Sequence, residues 1–353
     1  MTQSATLINK DNINDVLQGL KTNTYKFYQF YNIDIDIDEY SFIRHMTQFK
    51  DSNSSKLLNK SYYDIEVLID PAIFPDPKKA DYMVNAIALY NNISNTAYIL
   101  TIVHDCNITN PLVLQEEVNK LYQVKCEEND AYVVENIEIN VLVQENEEEL
   151  IQTFFKLVQE QNNLMLIGFN SATFDDPYMF NRTHKLFGEN SWQSIISEFG
   201  EVQKYGESSF ELPDYILVDI LKLYKPVGSG GGGLGKSLPD FKLNTICKKE
   251  LGITKLDLDE DFNDVYYNDI VTFLTYNLLD TLLVYKLDLK LGFMELMFDL
   301  SKYNKATMGS TINGRSILYK YRNDLMYSSQ DKIIRTNKFS KEVLFEPKIK
   351  ENL

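Results

Sequence analysis

A chain of 353 residues with 44% hydrophobic and 24% charged side chains has the make-up of a packed globular protein long enough for two units, which excludes disorder as its whole description. Its 35 Lys and Arg against 51 Asp and Glu leave a formal net charge of −16, which excludes coating nucleic acid through a broad basic face. An enzyme that holds metal ions with carboxylates and admits a few nucleotides remains open, because the ions neutralise such a site.

Residues 1–60 mix a short helical pattern, NINDVLQGLK, with NIDIDIDEY, where Ile33, Ile35 and Ile37 alternate with Asp34, Asp36 and Asp38. Period two reads as a strand with one wet face, and an edge strand explains the aspartate row better than a cation site. From Ser61 a run of strands is predicted: SYYDIEVLI, VNAIALY, TAYILTIV and the short AYVV, each bounded by turn-forming residues. A helix follows over 146–161, its acidic first turn suited to the helix dipole, and then an apolar strand, LMLIGF, over 164–169. Residues 170–187 read as turn then helix, and 201–225 as a hairpin ending in the strand-like YILVDILKLYK. The glycine-rich Gly228–Gly235 precedes a short helix, LNTICKKEL, an acidic loop, LDLDEDFND, and a long apolar helical region over 269–300. The remainder is polar and less regular. Strands in a run, then helix, strand and helix, give a mixed α/β sheet.

No stretch approaches the roughly 20 apolar residues of a membrane helix, and MTQSATLINK at the N-terminus lacks a basic segment followed by an apolar one. A soluble, cytoplasmic protein with no membrane contact is expected. Cys106, Cys126 and Cys247 are odd in number and widely spaced, so they build neither a disulfide framework nor a C-x-x-C zinc site and read as buried thiols. His45, His104 and His184 are scattered and read as ordinary surface or core histidines.

Asp64 and Glu66 sit two apart in the strand YYDIEVLI, so both carboxylates share one sheet face, about 7 Å apart along the chain, with Ile65 on the other. Two carboxylates aimed together from a buried strand are costly unless something neutralises them, and a divalent cation is the usual answer. Asp175 follows the strand LMLIGF in GFNSATFDDPYMFNR, at a strand end, where α/β sheets place ligands. Asp175 and Asp176 would serve equally well as helix caps ahead of Pro177. Tyr276 and Asp280 lie four apart in FLTYNLLDTLLVYKL, on one helical face. The same Y-x-x-x-D spacing recurs at Tyr215/Asp219 and Tyr327/Asp331, so the spacing alone says little.

Taken in order, D-x-E, then D, then Y-x-x-x-D on strand, strand end and helix, the sequence resembles the 3′-to-5′ proofreading exonuclease domain of family B DNA polymerases, particularly those of tailed phages. YYDIEV is similar to the first motif of that family, FNSATFDDPYMFNR to the second and YNLLD to the third, with LPDFKLNTICKKELGITKL resembling the connecting segment; the likeness covers about 60 to 300. It implies a ribonuclease-H-like mixed-sheet α/β fold, with an N-terminal α+β segment and a helical C-terminal tail. By the same resemblance Asp64, Glu66, Asp175 and Asp280 hold two Mg²⁺ or Mn²⁺ ions, and Tyr276 orients the attacking water. Asn170 and Phe174 match positions that contact the frayed single strand of a DNA 3′ end. Lys255 matches a lysine near the scissile phosphate, where a plain solvated lysine would serve as well. An all-oxygen ligand set suits hard cations, and two ions can stabilise attacking hydroxide and leaving 3′ oxygen together.

The implied organisation is 1–60 as part of a polymerase-type N-terminal domain, 61–300 as the exonuclease domain and 301–353 as a linker toward a palm domain. The palm motifs D-x-x-S-L-Y-P and Y-x-D-T-D do not occur in this sequence, so polymerisation is not expected of this chain alone. A separate chain carrying palm, fingers and thumb is the expected partner, alongside primer-template DNA, unless the sequence is a piece of a longer polypeptide. Two other readings compete. One is a non-catalytic module that docks on a polymerase and guides DNA. The other is a P-loop nucleotide hydrolase, since Gly230 to Ser237 reads GGGGLGKS; Leu238-Pro239-Asp240 interrupts the helix which that loop requires.

Overall fold

The computed structural model describes residues 58–68, 74–161, 163–200, 202–205, 209–225, 233–235, 238–253, 262–304 and 307–312, with two short strands beyond. The NINDVLQGLK helix, the Ile/Asp strand, Lys255 and most of the glycine-rich run lie outside the described residues. Ser54–Leu296 forms one compact unit.

Its centre is a six-stranded sheet. In chain order the strands are β1 (Lys60–Val67), β2 (Val84–Asn91), β3 (Thr96–Thr101), β4 (Glu138–Val143), β5 (Met165–Gly168) and, after the hairpin β6 (Gln203–Tyr205) and β7 (Ser209–Glu211), β8 (Ile216–Asp219). The spatial order is β4-β3-β2-β1-β5-β8. β1 to β3 form an antiparallel meander, and β4, β5 and β8 join in parallel. The helices are α1 (Pro111–Glu128), α2 (Glu147–Glu160), α3 (Asp175–Phe187), α4 (Trp192–Ile196), α5 (Ile220–Tyr224), α6 (Leu243–Glu250), α7 (Phe262–Asn268), α8 (Ile270–Leu291) and α9 (Phe293–Asn304). This is the mixed α/β fold that the pattern of elements implies.

Alternation along β1 separates two layers. Tyr63, Ile65 and Val67 join Phe154 and Phe155 of α2 and Tyr178 and Phe180 of α3 in one apolar core. Tyr62, of opposite parity, meets Tyr285 of α8 with ring centroids 5.3 Å apart, and Tyr285 meets Tyr90 of β2 at 4.7 Å. α8 therefore covers the face of β1 that carries Asp64 and Glu66. Its 22 residues would suffice by length and composition to cross a membrane. Most of the helix is instead buried on β1, β2 and α1, which is why it is apolar nearly all round.

Several elements differ from the sequence reading. AYVV is not a strand: Asp130–Tyr132 forms a single 3₁₀ turn, and the sheet is extended by Glu138–Val143. YILVDILKLYK is strand only to Asp219, whose carboxylate accepts the N–H groups of Leu221 (2.9 Å) and Lys222 (3.4 Å) and so starts α5. The apolar run over 269–300 is two helices parted at Gly292, which adopts φ 64°, the left-handed conformation that ends helices at glycine. Helix α1 has no counterpart in the sequence reading. It buries only Leu114, Val118 and Tyr122, a stripe too narrow to stand out, although Asn110 caps it ahead of Pro111.

The second unit pairs Met1–Asn53 with Met297–Leu353. Its described parts include α10 (Met308–Ile312) and an antiparallel pair, β9 (Ile333–Arg335) and β10 (Val343–Phe345).

Candidate active site

The site is built where β1 outruns its neighbour. Among the described residues, the ladder between β1 and β5 runs from Lys60 to Tyr62, while that between β1 and β2 continues to Val67. Beyond Tyr62 the β5-side edge of β1 is open, and the first turn of α3 closes on it. There the Asp175 carboxyl accepts the backbone N–H of Ile65. Asp175 is 6% exposed. Burial first, and then the charge of Asp64, push its carboxyl well above the usual carboxylate range, opposed in part by its own N–H and that of Ile65.

Asp64 and Glu66 are the half-open positions of β1, flanked by the buried Tyr63, Ile65 and Val67. On the α8 side, Asn277 donates from Nδ2 to Asp64 Oδ2 at 3.0 Å and to the Asp64 carbonyl at 3.3 Å. Its own Oδ1 is buried with no partner among the described residues. Tyr276 precedes it, its ring 6.3 Å from that of Phe262. Asp280, 4% exposed, lies one turn further along α8, where its charge reaches Tyr132. The structure thus joins Asp64 to Asp175, sets Glu66 beside them on the strand and brings the helix of Tyr276 and Asp280 over that strand. Among the described residues no three His, Cys, Asp or Glu side chains converge closely enough to hold a metal ion.

The loop from β5 to α3 is tightly held. A Cβ on Gly168 would stand 2.5 Å from Ser171 Cβ, so only glycine fits there. Asn170 adopts φ 62°; its N–H goes to Asp219 Oδ1 at 2.9 Å and its side-chain Oδ1 accepts from Thr173 Oγ1 at 2.7 Å. Neither Asp175 nor Asp176 caps α3: Phe174 holds the cap position without a side-chain bond. Asp176 instead points into the core and accepts the Tyr63 hydroxyl, its carboxyl pushed up to about 7, chiefly by burial. The Phe174 ring packs between Tyr178 (5.4 Å) and Phe74 (5.9 Å), and Phe74 is 82% exposed.

Asn277, Asp219, Asp176 as a core acceptor and Phe74 escaped the sequence reading. Asp219 carried the one available signal, a carboxylate ending a strand ahead of a helix, which its spacing to Tyr215 obscured.

At the glycine-rich segment, the Gly233, Leu234 and Gly235 amides donate to the carbonyls of Lys225, Leu223 and Tyr224. Amides engaged in this way are not free to cradle a phosphate, and the next described helix begins at Leu243.

The family profile of the DNA polymerase family B exonuclease domain matches residues 20–226, more than half of the chain. The chain belongs to that family. It is 26% identical over 258 residues to the DNA-directed DNA polymerase of Enterobacteria phage T4, covering 71% of this chain and 27% of that one. To the DNA-directed DNA polymerase of Escherichia phage RB69 it is 25% identical over 260 residues, covering 71% and 28%. A DNA polymerase of Orgyia pseudotsugata multicapsid polyhedrosis virus is 26% identical over 168 residues, covering 45% and 16%. The matches span little more than a quarter of the length of the phage polymerases.

Proposed function

We propose that this chain is a metal-dependent 3′-to-5′ DNA exonuclease, which hydrolyses the terminal phosphodiester of a DNA 3′ end and releases nucleoside monophosphates as the proofreading part of a family B polymerase. The observation that carries this reading is the pair Asp64 and Asp175, placed close enough that the charge of one raises the proton affinity of the other. Carboxylates paired in a buried position need either a shared proton or a cation between them, and a divalent cation is what would let both stay charged. The donors are carboxylate oxygens, the chemistry of Mg²⁺ or Mn²⁺ rather than zinc, so the residues present fit such an ion.

In this reading Asp64, Glu66, Asp175 and Asp280 hold the ions, which supply an activated water and charge stabilisation at the leaving 3′ oxygen when bound. Tyr276 orients the water. Asn277 fixes the Asp64 carboxylate from the helix side. Phe174, with the exposed Phe74 against it, offers stacking surface to frayed bases, which is how an acidic protein grips a short single strand. Asn170 hydrogen-bonds the frayed single strand, and Lys255 approaches the scissile phosphate. The domain boundaries at 60 and 300, primer-template DNA as substrate and a palm, fingers and thumb on another chain belong to the same proposal.

The test is degradation of 5′-labelled single-stranded DNA by the purified chain with Mg²⁺, Mn²⁺ or chelator, with Asp64→Ala/Glu66→Ala as control. A metal-dependent ladder shortening from the 3′ end, absent in the double variant, is expected. No degradation with either ion, even after addition of a chain bearing the palm motifs, would leave a docking role and overturn the catalytic one.

A further inference from the structure

We propose that Tyr63 and Asp176 form a positioning brace that sets the spacing of the Asp64 and Asp175 carboxylates, and with it the affinity of the site for a divalent cation. The inference rests on the metal-binding reading above.

The two residue pairs are chain neighbours: Tyr63 precedes Asp64 on β1, and Asp176 follows Asp175 in the first turn of α3. Side chains of successive strand residues point to opposite faces. The contact between Tyr63 and Asp176 on the core face therefore mirrors the juxtaposition of Asp64 and Asp175 on the site face. Both brace residues are buried, Tyr63 at 2% and Asp176 at 5% exposure, and the Tyr63 hydroxyl donates to Asp176 Oδ1.

This is also where the backbone stops holding the two segments together. The β1/β5 ladder ends at Tyr62. Beyond it, two hydrogen bonds tie β1 to the start of α3, from the Ile65 N–H to the Asp175 carboxyl and from the Tyr63 hydroxyl to Asp176. The first of these ends on a proposed cation ligand. Of these two, the second does not involve a proposed cation ligand, and it holds β1 to the first turn of α3 whether or not a cation is bound.

Both ends of the brace are fixed by their surroundings. The Tyr63 ring packs on Phe154 at 5.7 Å and against Gly168, where a Cβ would come within 3.3 Å of Tyr63 Cε1. The Asp176 N–H donates to the Ser171 carbonyl at 2.9 Å. An apolar side chain at position 176 would fill this core without the cost of burying a carboxylate; what the carboxylate adds is one directional contact to β1. Groups that orient metal ligands without touching the ion commonly change metal affinity by about 10- to 100-fold when altered.

The experiment measures Mn²⁺ binding to the full chain without DNA, from the electron paramagnetic resonance signal of free Mn²⁺, together with the exonuclease rate as a function of Mn²⁺. Tyr63→Phe and Asp176→Leu are expected to raise the Mn²⁺ dissociation constant by about 10-fold or more. Most of the lost rate returns at saturating Mn²⁺, and Asp176→Asn, which keeps the acceptor oxygen, stays near the wild-type affinity. Tyr63→Phe removes a single oxygen and keeps the ring, so it decides the matter if Asp176→Leu does not fold. An unchanged dissociation constant in folded Tyr63→Phe overturns the brace while leaving the metal site standing. Wild-type chain that binds no more Mn²⁺ than Asp64→Ala/Glu66→Ala overturns the metal reading and the brace with it.

Discussion

A buried polar cluster helps tie α8 to β1, and its removal has a calculable cost. Lys60 Nζ lies 2.7 Å from Asp288 Oδ2, with the two side chains 9% and 1% exposed. The Tyr62 hydroxyl donates to the same oxygen at 2.6 Å, and the Met294 N–H donates to Oδ1 at 3.1 Å. Lys60→Met keeps most of the side-chain volume but strips the carboxylate of its counter-charge. Breaking a buried pair from one side costs about 3–5 kcal/mol, because the remaining charge stays desolvated. For a unit of this size that corresponds to a fall in Tm of about 6–20 °C. Replacing both charges, Lys60→Met with Asp288→Leu, recovers most of this, since apolar substitutes for a buried pair are often neutral or better. The residual loss has two parts: the orphaned Tyr62 hydroxyl, about 1–3 kcal/mol, which Tyr62→Phe removes in turn, and the Met294 N–H left without its acceptor, which remains. Thermal and urea unfolding followed by circular dichroism measure all three steps. A loss below about 1 kcal/mol for Lys60→Met, within the range of exposed pairs, would refute the reasoning, for it would mean that water reaches the cluster. The site depends on the outcome: Tyr62 is two residues from Asp64, and Asp288 lies about 12 Å along α8 from Asp280.

Three further outcomes follow from the same geometry. Gly168→Ala, whose Cβ would meet Ser171 Cβ at 2.5 Å, is expected to cost about 1–3 kcal/mol in urea unfolding, and an unchanged midpoint would show that the loop yields. Burial pushes the Cys106 thiol up to about 11, so at pH 7 its alkylation by iodoacetamide is expected to run about 100-fold slower than that of a free thiol and to rise about tenfold per pH unit toward 11; fast labelling at pH 7, read by mass spectrometry, would contradict this. Phe74→Ala removes a ring that is 82% exposed, so unfolding should be unaffected, while oligonucleotide binding by the Asp64→Ala/Glu66→Ala background should weaken about 5- to 150-fold if one base stacks there.

Much of this was legible in the sequence because it depends on period alone. Alternation in YYDIEV puts Asp64 and Glu66 on one face of β1, and helical spacing puts Tyr276 and Asp280 on one side of α8. What escaped depends on which segment lies beside which. Asp176 reads locally as a cap ahead of Pro177, and only the tertiary approach of Tyr63 makes it a core acceptor. Asn277 is one polar residue among many until α8 is laid on β1, where it becomes the partner of Asp64. Helix α1 was hidden by its narrow buried stripe, with Leu112 and Val113 left exposed on its outer side.

The decisive feature is a difference in length between neighbouring strands. β5 ends at Gly168, where the chain must turn so tightly that no Cβ fits, and β1 runs on to Val67. Beyond Tyr62 the β5-side edge of β1 presents backbone N–H groups that burial obliges something to satisfy. Asp175 satisfies one of them, at Ile65, and in doing so is brought against Asp64. A longer β5 would complete the ladder and leave no place for Asp175 at the strand edge; a shorter β1 would remove Asp64 and Glu66 from the sheet. The carboxylate pair is therefore a consequence of where one strand stops, which is why Gly168, Asp219 and Tyr63, none of them a proposed ligand, bear on the site through the backbone they hold in place.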